Sequence, residues 1–114
     1  MLSQKTLEEY INAINSLLQN GVIPFWLDRS WDNEYGGYLT NYDSQGRLLP
    51  NPEKYLNTQA RLVWWFSTLS RRYPERSEFI ELARKGVDFM IQYFWDNDNE
   101  GWYWKVERAW YVYR

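Results

Sequence analysis

The sequence predicts an all-α protein with short β-hairpin-like loops, and three observations predict it. Apolar residues recur at helical spacing in three separate stretches, near residues 4–20, 52–71 and 76–94. Capping residues, prolines and glycines bound those stretches. The intervening segments change grammar, alternating rings and polar residues with period two around glycines.

The first stretch, "TLEEYINAINSLLQNG", opens on a capping box, Thr6 with Glu9. Leu7, Tyr10, Ile11, Ile14, Leu17 and Leu18 then share one face, and Asn20-Gly21 is the expected stop. "VIPFW" leaves room for one further turn after a kink. In "SWDNEYGGYLTNYDSQGRLLPNPEK", Gly36-Gly37 and Ser44-Gln45-Gly46 punctuate Tyr38, Thr40 and Tyr42 alternating with Leu39 and Asn41. That predicts a hairpin or an extended loop. Asn51 as N-cap with Pro52 at the first helical position then opens the second helix. Arg71-Arg72-Tyr73-Pro74 breaks the chain. The third helix carries Phe79, Leu82, Ala83, Val87, Met90, Ile91 and Phe94 as one stripe. A further turn with alternating rings, "DNDNEGWYWKVERAWYVYR", follows.

Two stretches echo each other. "FWLDRSWDNEYGGYLTNYD" and "YFWDNDNEGWYWKVE" each run from Phe-Trp through Asp-Asn and Glu to glycine and a ring-rich strand. Gly37 and Gly101 stand 64 positions apart, a period suited to paired helices joined by hairpin loops.

At 114 residues, with 45% hydrophobic and 25% charged residues, the chain is one globular domain or a piece of one. Its aromatic content of 20% exceeds what a small core encloses, so rings are expected on a cleft or an interface. Sugar stacking and a ring-rich protein contact both fit. A net charge of −2 without a basic face excludes a nucleic-acid partner, and no apolar run reaches the ~20 residues of a membrane span. "MLSQKTLEEY" is no signal peptide, and the absence of cysteine fits a cytoplasmic protein. Histidine is also absent, which removes the commonest acid/base near neutrality and the commonest metal ligand.

The second helix carries two stripes. Leu62, Val63, Phe66 and Leu69 form a core face; Asn57, Arg61, Trp64, Trp65 and Thr68 form a polar-aromatic one at the same spacing. Arg61 on such a face offers planar, bidentate hydrogen bonds to oxygens. Equally, it serves as a fixture stacked on Trp64 or Trp65 or paired with an acid. Asp96, Asp98, Glu100, Gly101 and Glu107 match the spacing of a calcium loop, but "WYWKVE" alternates like a strand where a calcium hand needs a helix, so no metal site is assigned. Glu34, Glu53, Glu100 and Glu107 lie in turns or at expected surfaces, where a carboxylate is a weak base. No catalytic residue is assigned.

Taken together, Gly36-Gly37-Tyr38 with Asp43 and Gly46, Gln59-Ala60-Arg61 followed by Val63-Trp64, and Ala83-Arg84-Lys85-Gly86 with Phe89 resemble the N-terminal part of the N-acylglucosamine 2-epimerase family, which includes cellobiose 2-epimerases and aldose–ketose isomerases of sugars. The resemblance implies the first one and a half helix hairpins of an (α/α)6 toroid, one partial domain over 1–114, with 108–114 as an atypical tail. It implies cofactor-independent proton transfer at sugar carbon 2, with Arg61 touching substrate oxygens and Asn57, Trp64 and Trp65 beside it. Family members carry tryptophan where this chain has Asn57, are roughly three to four times longer, and keep their proton-transferring histidines in later hairpins. The chain alone is therefore expected to be inactive. The competing expectations are a stand-alone carbohydrate-binding module and an oligomeric scaffold that buries its rings against copies of itself.

Overall fold

The computed structural model describes residues Ser3–Trp110. It divides into two compact units, residues 1–30 and 31–114. The first is helical from Gln4 to Arg29: α1 (Gln4–Leu17), a π-helical turn (Leu18–Val22) and α2 (Ile23–Arg29) follow one another. The cap is one turn earlier than the sequence suggests. Ser3, not Thr6, is the N-cap; its hydroxyl accepts from the Thr6 N–H at 3.2 Å and pairs with the Thr6 hydroxyl at 2.8 Å. The helix also passes through Asn20-Gly21, where a stop is expected. Pro24 explains the local form: it has no N–H for the carbonyl four residues back, and a widened π turn relieves that position. The α1 stripe of Leu7, Tyr10, Ile11, Ile14 and Leu17 is exposed.

The second unit is built on a helix hairpin, α3 (Leu56–Arg72) and α4 (Ser77–Phe89), with α4 extended by a π-helical turn at Met90–Phe94. Their apolar stripes meet in part: Phe66, Leu69, Phe79 and Ala83 are buried, with the Phe66 and Phe79 rings stacked at 6.5 Å, whereas Val87 and Ile91 of the expected stripe are exposed and Phe89, outside it, is buried. Tyr38 completes this core. It is fully buried, packs on Phe66 at 5.7 Å and donates its hydroxyl to the Leu82 carbonyl at 2.6 Å. Gly86 is required there, because a Cβ would collide with the Tyr38 ring. Gln59, also fully buried, pins the same residue like a strand neighbour: it accepts from Tyr38 N–H and donates to Tyr38 C=O, both at 2.8 Å.

The expected start of the second helix shifts by four residues. Asn51 has φ +51° and caps nothing; Lys54–Tyr55 forms strand β1, so the helix begins at Leu56. The cause is a partner far along the chain. β1 pairs antiparallel with β4 (Lys105–Val106), Lys54 opposite Val106 and Tyr55 opposite Lys105. The loops are small hairpins: Trp31 bridges Tyr38, Tyr42 bridges Leu48, and β2 (Trp95–Asp96) pairs with β3 (Gly101–Trp102).

The 64-residue echo is a structural repeat of one turn. Trp31 and Trp95, Asp32 and Asp96, and Tyr38 and Trp102 are equivalent. Asp32 Oδ1 accepts from the N–H of Glu34 and Tyr35; Asp96 Oδ1 accepts from the N–H of Asp98 and Asn99. Trp31 meets Tyr38 edge-on at 5.5 Å, as Trp95 meets Trp102 at 5.1 Å. One positive φ recurs, at Gly36 and Glu100, whereas that of Gly37 has no counterpart at Gly101. Asp96 also takes the Asn99 side-chain amide at 2.8 Å, so its carboxylate is engaged in closing the turn.

The expected atypical tail, 108–114, lies partly outside the described residues, which end at Trp110. Its first part is tied into the second unit: Arg108 reaches Asp32, while Trp110 stacks on Tyr93 at 5.4 Å and donates its indole N–H to the Tyr35 carbonyl at 2.8 Å. No helix among the described residues is long and apolar enough to cross a membrane.

Candidate functional site

α3 presents the polar-aromatic stripe on its uncovered side. Asn57, Arg61, Trp64 and Thr68 are exposed, Trp64 at 68%, and Trp65 is half-buried against Phe66 at 5.1 Å. The helix divides this way because Gln59, Phe66 and Leu69 turn inward and carry the burial. Thr68 donates its hydroxyl to the Trp64 carbonyl at 2.9 Å, and Thr58 donates to Asn57 Oδ1 at 3.5 Å, so both polar neighbours are locally engaged. Arg61 differs. Among the described residues its guanidinium makes no hydrogen bond, ion pair or ring contact, which leaves the fixture alternative without a partner for it.

At the N-terminal end of α3 the chain adds rings that the sequence reading did not place there. The Leu56 N–H donates to the Trp104 carbonyl at 2.9 Å, which sets Trp104 beside Tyr55 with ring centroids 5.6 Å apart. Trp104 is 64% exposed. The Lys105 ammonium lies over both rings and is held by Glu53 at 2.9 Å.

A separate cleft of about 520 Å³ is lined by Glu34, Tyr35, Asn51, Glu53, Glu107, Arg108 and Ala109. It collects three of the four glutamates weighed as bases, whereas Glu100 stays on the second turn. None of Asn57, Arg61, Trp64 or Trp65 lines it. The Glu34 carboxylate lies 3.8 Å from Arg108, and its hydrogen bond to Tyr35 raises the phenol's pKa. Among the described residues no group of three acidic or other ligating side chains is arranged to hold a metal ion.

The polar centre that sequence reasoning missed is Asp32. Its side chain and that of Lys54 are fully buried and paired at 2.8 Å, and the same ammonium donates to the carbonyls of Gly36 at 2.6 Å and Arg108 at 2.8 Å. Arg108 adds Nε and Nη2 contacts to Asp32 at 3.1 and 3.3 Å. Burial pushes the Asp32 carboxyl up, but hydrogen bonds from Arg108, Lys54 and the Tyr35 N–H outweigh it and hold the group down at about 2. Burial lowers the Lys54 pKa against the opposing pull of Asp32. The arrangement is a fully satisfied three-residue ion network, and the Lys54 ammonium also lies 5.2 Å from the Phe89 ring centre. The one sequence signal for it was the repeated Trp-Asp pair, which marks the turn but not what closes over it.

Comparison with known proteins bears on the chain's family and fold. The sequence profile of the N-acylglucosamine 2-epimerase (GlcNAc 2-epimerase) family matches residues 37–112. The chain is 30% identical over 89 residues to a cellobiose 2-epimerase of Bacteroides fragilis, covering 78% of this chain and 22% of that one. It is 34% identical over 90 residues to a cellobiose 2-epimerase of Dictyoglomus turgidum (79% and 23%), and 32% identical over 92 residues to the mouse N-acylglucosamine 2-epimerase (79% and 22%). The chain thus spans about a fifth of the length of these relatives. Among solved structures, a cellobiose 2-epimerase from Spirochaeta thermophila superposes with a TM-score of 0.85 at 24% identity, over 96% of this chain and 27% of that one. The helix hairpin with its ring-rich turns is therefore a portion of the (α/α)6 fold, and the chain belongs to the N-acylglucosamine 2-epimerase family.

Proposed function

We propose that the uncovered face of α3 forms part of the wall of a sugar site in a protein that transfers a proton at sugar carbon 2. The observation that carries this reading is Arg61, an exposed guanidinium without a partner among the described residues, on a face that also holds Asn57, Trp64 and Trp65. A planar donor beside rings suits hydroxyl and carbonyl oxygens on one edge of a sugar and its C–H face on the other. Relatives of the chain are named for epimerising cellobiose or N-acylglucosamine, which gives the substrate class.

Moving the proton alpha to a carbonyl needs a base, an acid and a stabiliser of the enediolate. Arg61 suits the third task only, because a guanidinium does not exchange protons near neutrality. The chain contains no histidine, and Glu34, Glu53 and Glu107 line the other cleft. The 114 residues therefore bind sugar without turning it over, and no cofactor enters the scheme. A lack of cysteine is consistent with a cytoplasmic setting.

Saturation-transfer NMR with cellobiose and N-acetylmannosamine tests the binding, and deuterium incorporation at carbon 2 in heavy water tests the chemistry. Sugar binding that weakens at least tenfold in Arg61→Ala, with exchange at background, is the expected result. Binding unaffected by that change would remove Arg61 from the site, and exchange above background would show that the chain holds its own acid and base.

A second reading, an oligomeric scaffold, is favoured by the uncovered α1 stripe, where Ile14 and Leu17 are 64% and 67% exposed. Sedimentation across a concentration series tests it; a monomer throughout would end it.

A further inference from the structure

Two exposed indoles border α3, and they are held differently. Trp64 is 68% exposed and packs on no other ring among the described residues. Trp104 is nearly as open, at 64%, yet it is fixed on several sides. Its carbonyl accepts the Leu56 N–H at 2.9 Å, its ring lies 5.6 Å from that of Tyr55, and the Lys105 ammonium sits 4.8 Å from its ring centre. Glu53 locks this support, because one of its oxygens takes both the Lys105 ammonium at 2.9 Å and the Tyr55 hydroxyl at 3.0 Å. A cation over one face of an indole leaves the opposite face open. Burial is the favourable default for so large an apolar ring. Here the ring is held in place and left in solvent, which is what a preorganised stacking platform requires.

Its position follows from the strand before α3. Lys54 of β1 points inward, to the Asp32 carboxylate and to within 5.2 Å of the Phe89 ring centre. Successive strand side chains point to opposite faces, so Tyr55 and the Trp104 ring beside it turn away from the core, to the side where α3 exposes Asn57 and Arg61. The Leu56 N–H ties Trp104 to the first turn of α3, next to Asn57. Arg61 stands one turn beyond Asn57, about 6 Å along the axis. Trp104, Asn57 and Arg61 thus follow one another along one face, a ring at one end and a guanidinium at the other.

We propose that the Trp104–Tyr55 pair is a second sugar subsite, so that this face takes an extended two-ring sugar and not a single ring. One ring meets Arg61, and its neighbour stacks a C–H face on the open side of Trp104. The inference rests on the sugar reading of the Arg61 face and adds to it the number of rings. Relatives named for cellobiose and for N-acylglucosamine leave that number open. Glu53 acts here through Lys105 and Tyr55, as a positioning residue that keeps the platform still.

Glucose and cellobiose, which differ by one ring, are titrated separately into the ¹⁵N-labelled full chain. Cellobiose should bind about fivefold tighter than glucose or better, and it alone should shift the Trp104 indole N–H, assigned with Trp104→Phe. Trp104→Ala should bring cellobiose down to the affinity of glucose. Trp104→Phe, which keeps a flat ring, should retain most of the preference. Arg61→Ala should weaken both sugars, and that arm tests the underlying reading. Equal affinity for the two sugars in the unchanged chain overturns the proposal. So does a cellobiose preference that survives Trp104→Ala, or cellobiose binding that leaves the Trp104 indole signal in place. While glucose still binds in an Arg61-dependent way, each of these results removes the second subsite alone; binding of neither sugar removes the sugar reading with it.

Discussion

The turn at Trp31–Tyr38 and the turn at Trp95–Trp102 share a carboxylate-capping scheme and an edge-on ring pair, yet one is interior and the other surface. Asp32 is 1% exposed and Tyr38 fully buried, while Asp96 is partly exposed and Trp102 is 48% exposed. The local sequence therefore decides the shape of the turn, and the segment that lands on it decides its energetics. An aspartate closing its own backbone is a modest contribution in water. The same aspartate, buried with a lysine, an arginine and two N–H donors, becomes a group whose loss strands a charge.

The comparison breaks most easily at the carboxylates. Asp32→Ala should cost about 3–5 kcal/mol in urea unfolding, because it leaves Lys54 buried without its counter-charge. Asp96→Ala should cost about 1 kcal/mol or less, the loss of a turn cap. Equal costs would mean that the two turns differ in accessibility but not in energy.

The glycines sharpen the contrast. Gly37 has φ +77°, and a Cβ there would lie 2.6 Å from the Phe89 ring; its counterpart Gly101 has nothing within 4 Å. Gly37→Ala should destabilise by about 2–3 kcal/mol through strain and crowding, and Gly101→Ala should stay within about 0.5 kcal/mol. Thermal unfolding of the two variants checks both.

Acid separates the turns in a third way. A carboxylate held down at about 2 gives stability that is complete above its ordinary value of 3.8 and is lost as pH falls through about 2. About 2 kcal/mol should disappear between those limits. The loss should persist in Asp96→Asn and be missing from Asp32→Asn, measured by urea midpoints at pH 5, 3 and 2. The smallest expected effect is on Trp102. Trp102→Phe should change stability by less than about 0.5 kcal/mol in the free chain, as for other surface substitutions.

What the sequence made legible follows from the range of the forces involved. Helical spacing in "FIELARKGVDFM" and the inward stripe of α3 depend on neighbours three and four positions away, and both held in the structure. Lys54–Tyr55 did not, because its strand state rests on Lys105 and Val106 half the chain away. Asn51-Pro52 looked like a helix start for sound local reasons, and that tertiary pairing overrode them. Gln59 stood in a recognised motif, but its clamp on Tyr38 joins residues 21 apart and has no periodic signature. The polar-aromatic face around Arg61 was legible as a stripe, since a helix face is a local object. The cleft holding Glu34, Glu53 and Glu107 was not, since three distant loops assemble it.

The reach from Asp32 to Arg108 has a consequence in time. The two partners are 76 residues apart in the chain. A ribosome adding about 5–20 residues per second takes about 4–15 s to cover that interval. During synthesis the first turn can form its backbone hydrogen bonds at once, but its carboxylate must wait for Lys54 and then longer for Arg108. Hairpin α3–α4 has been made in full before the last contact is available. A fully buried charge is thus among the last to be satisfied, and a chain halted before Arg108 would carry Asp32 and Lys54 with their network unfinished.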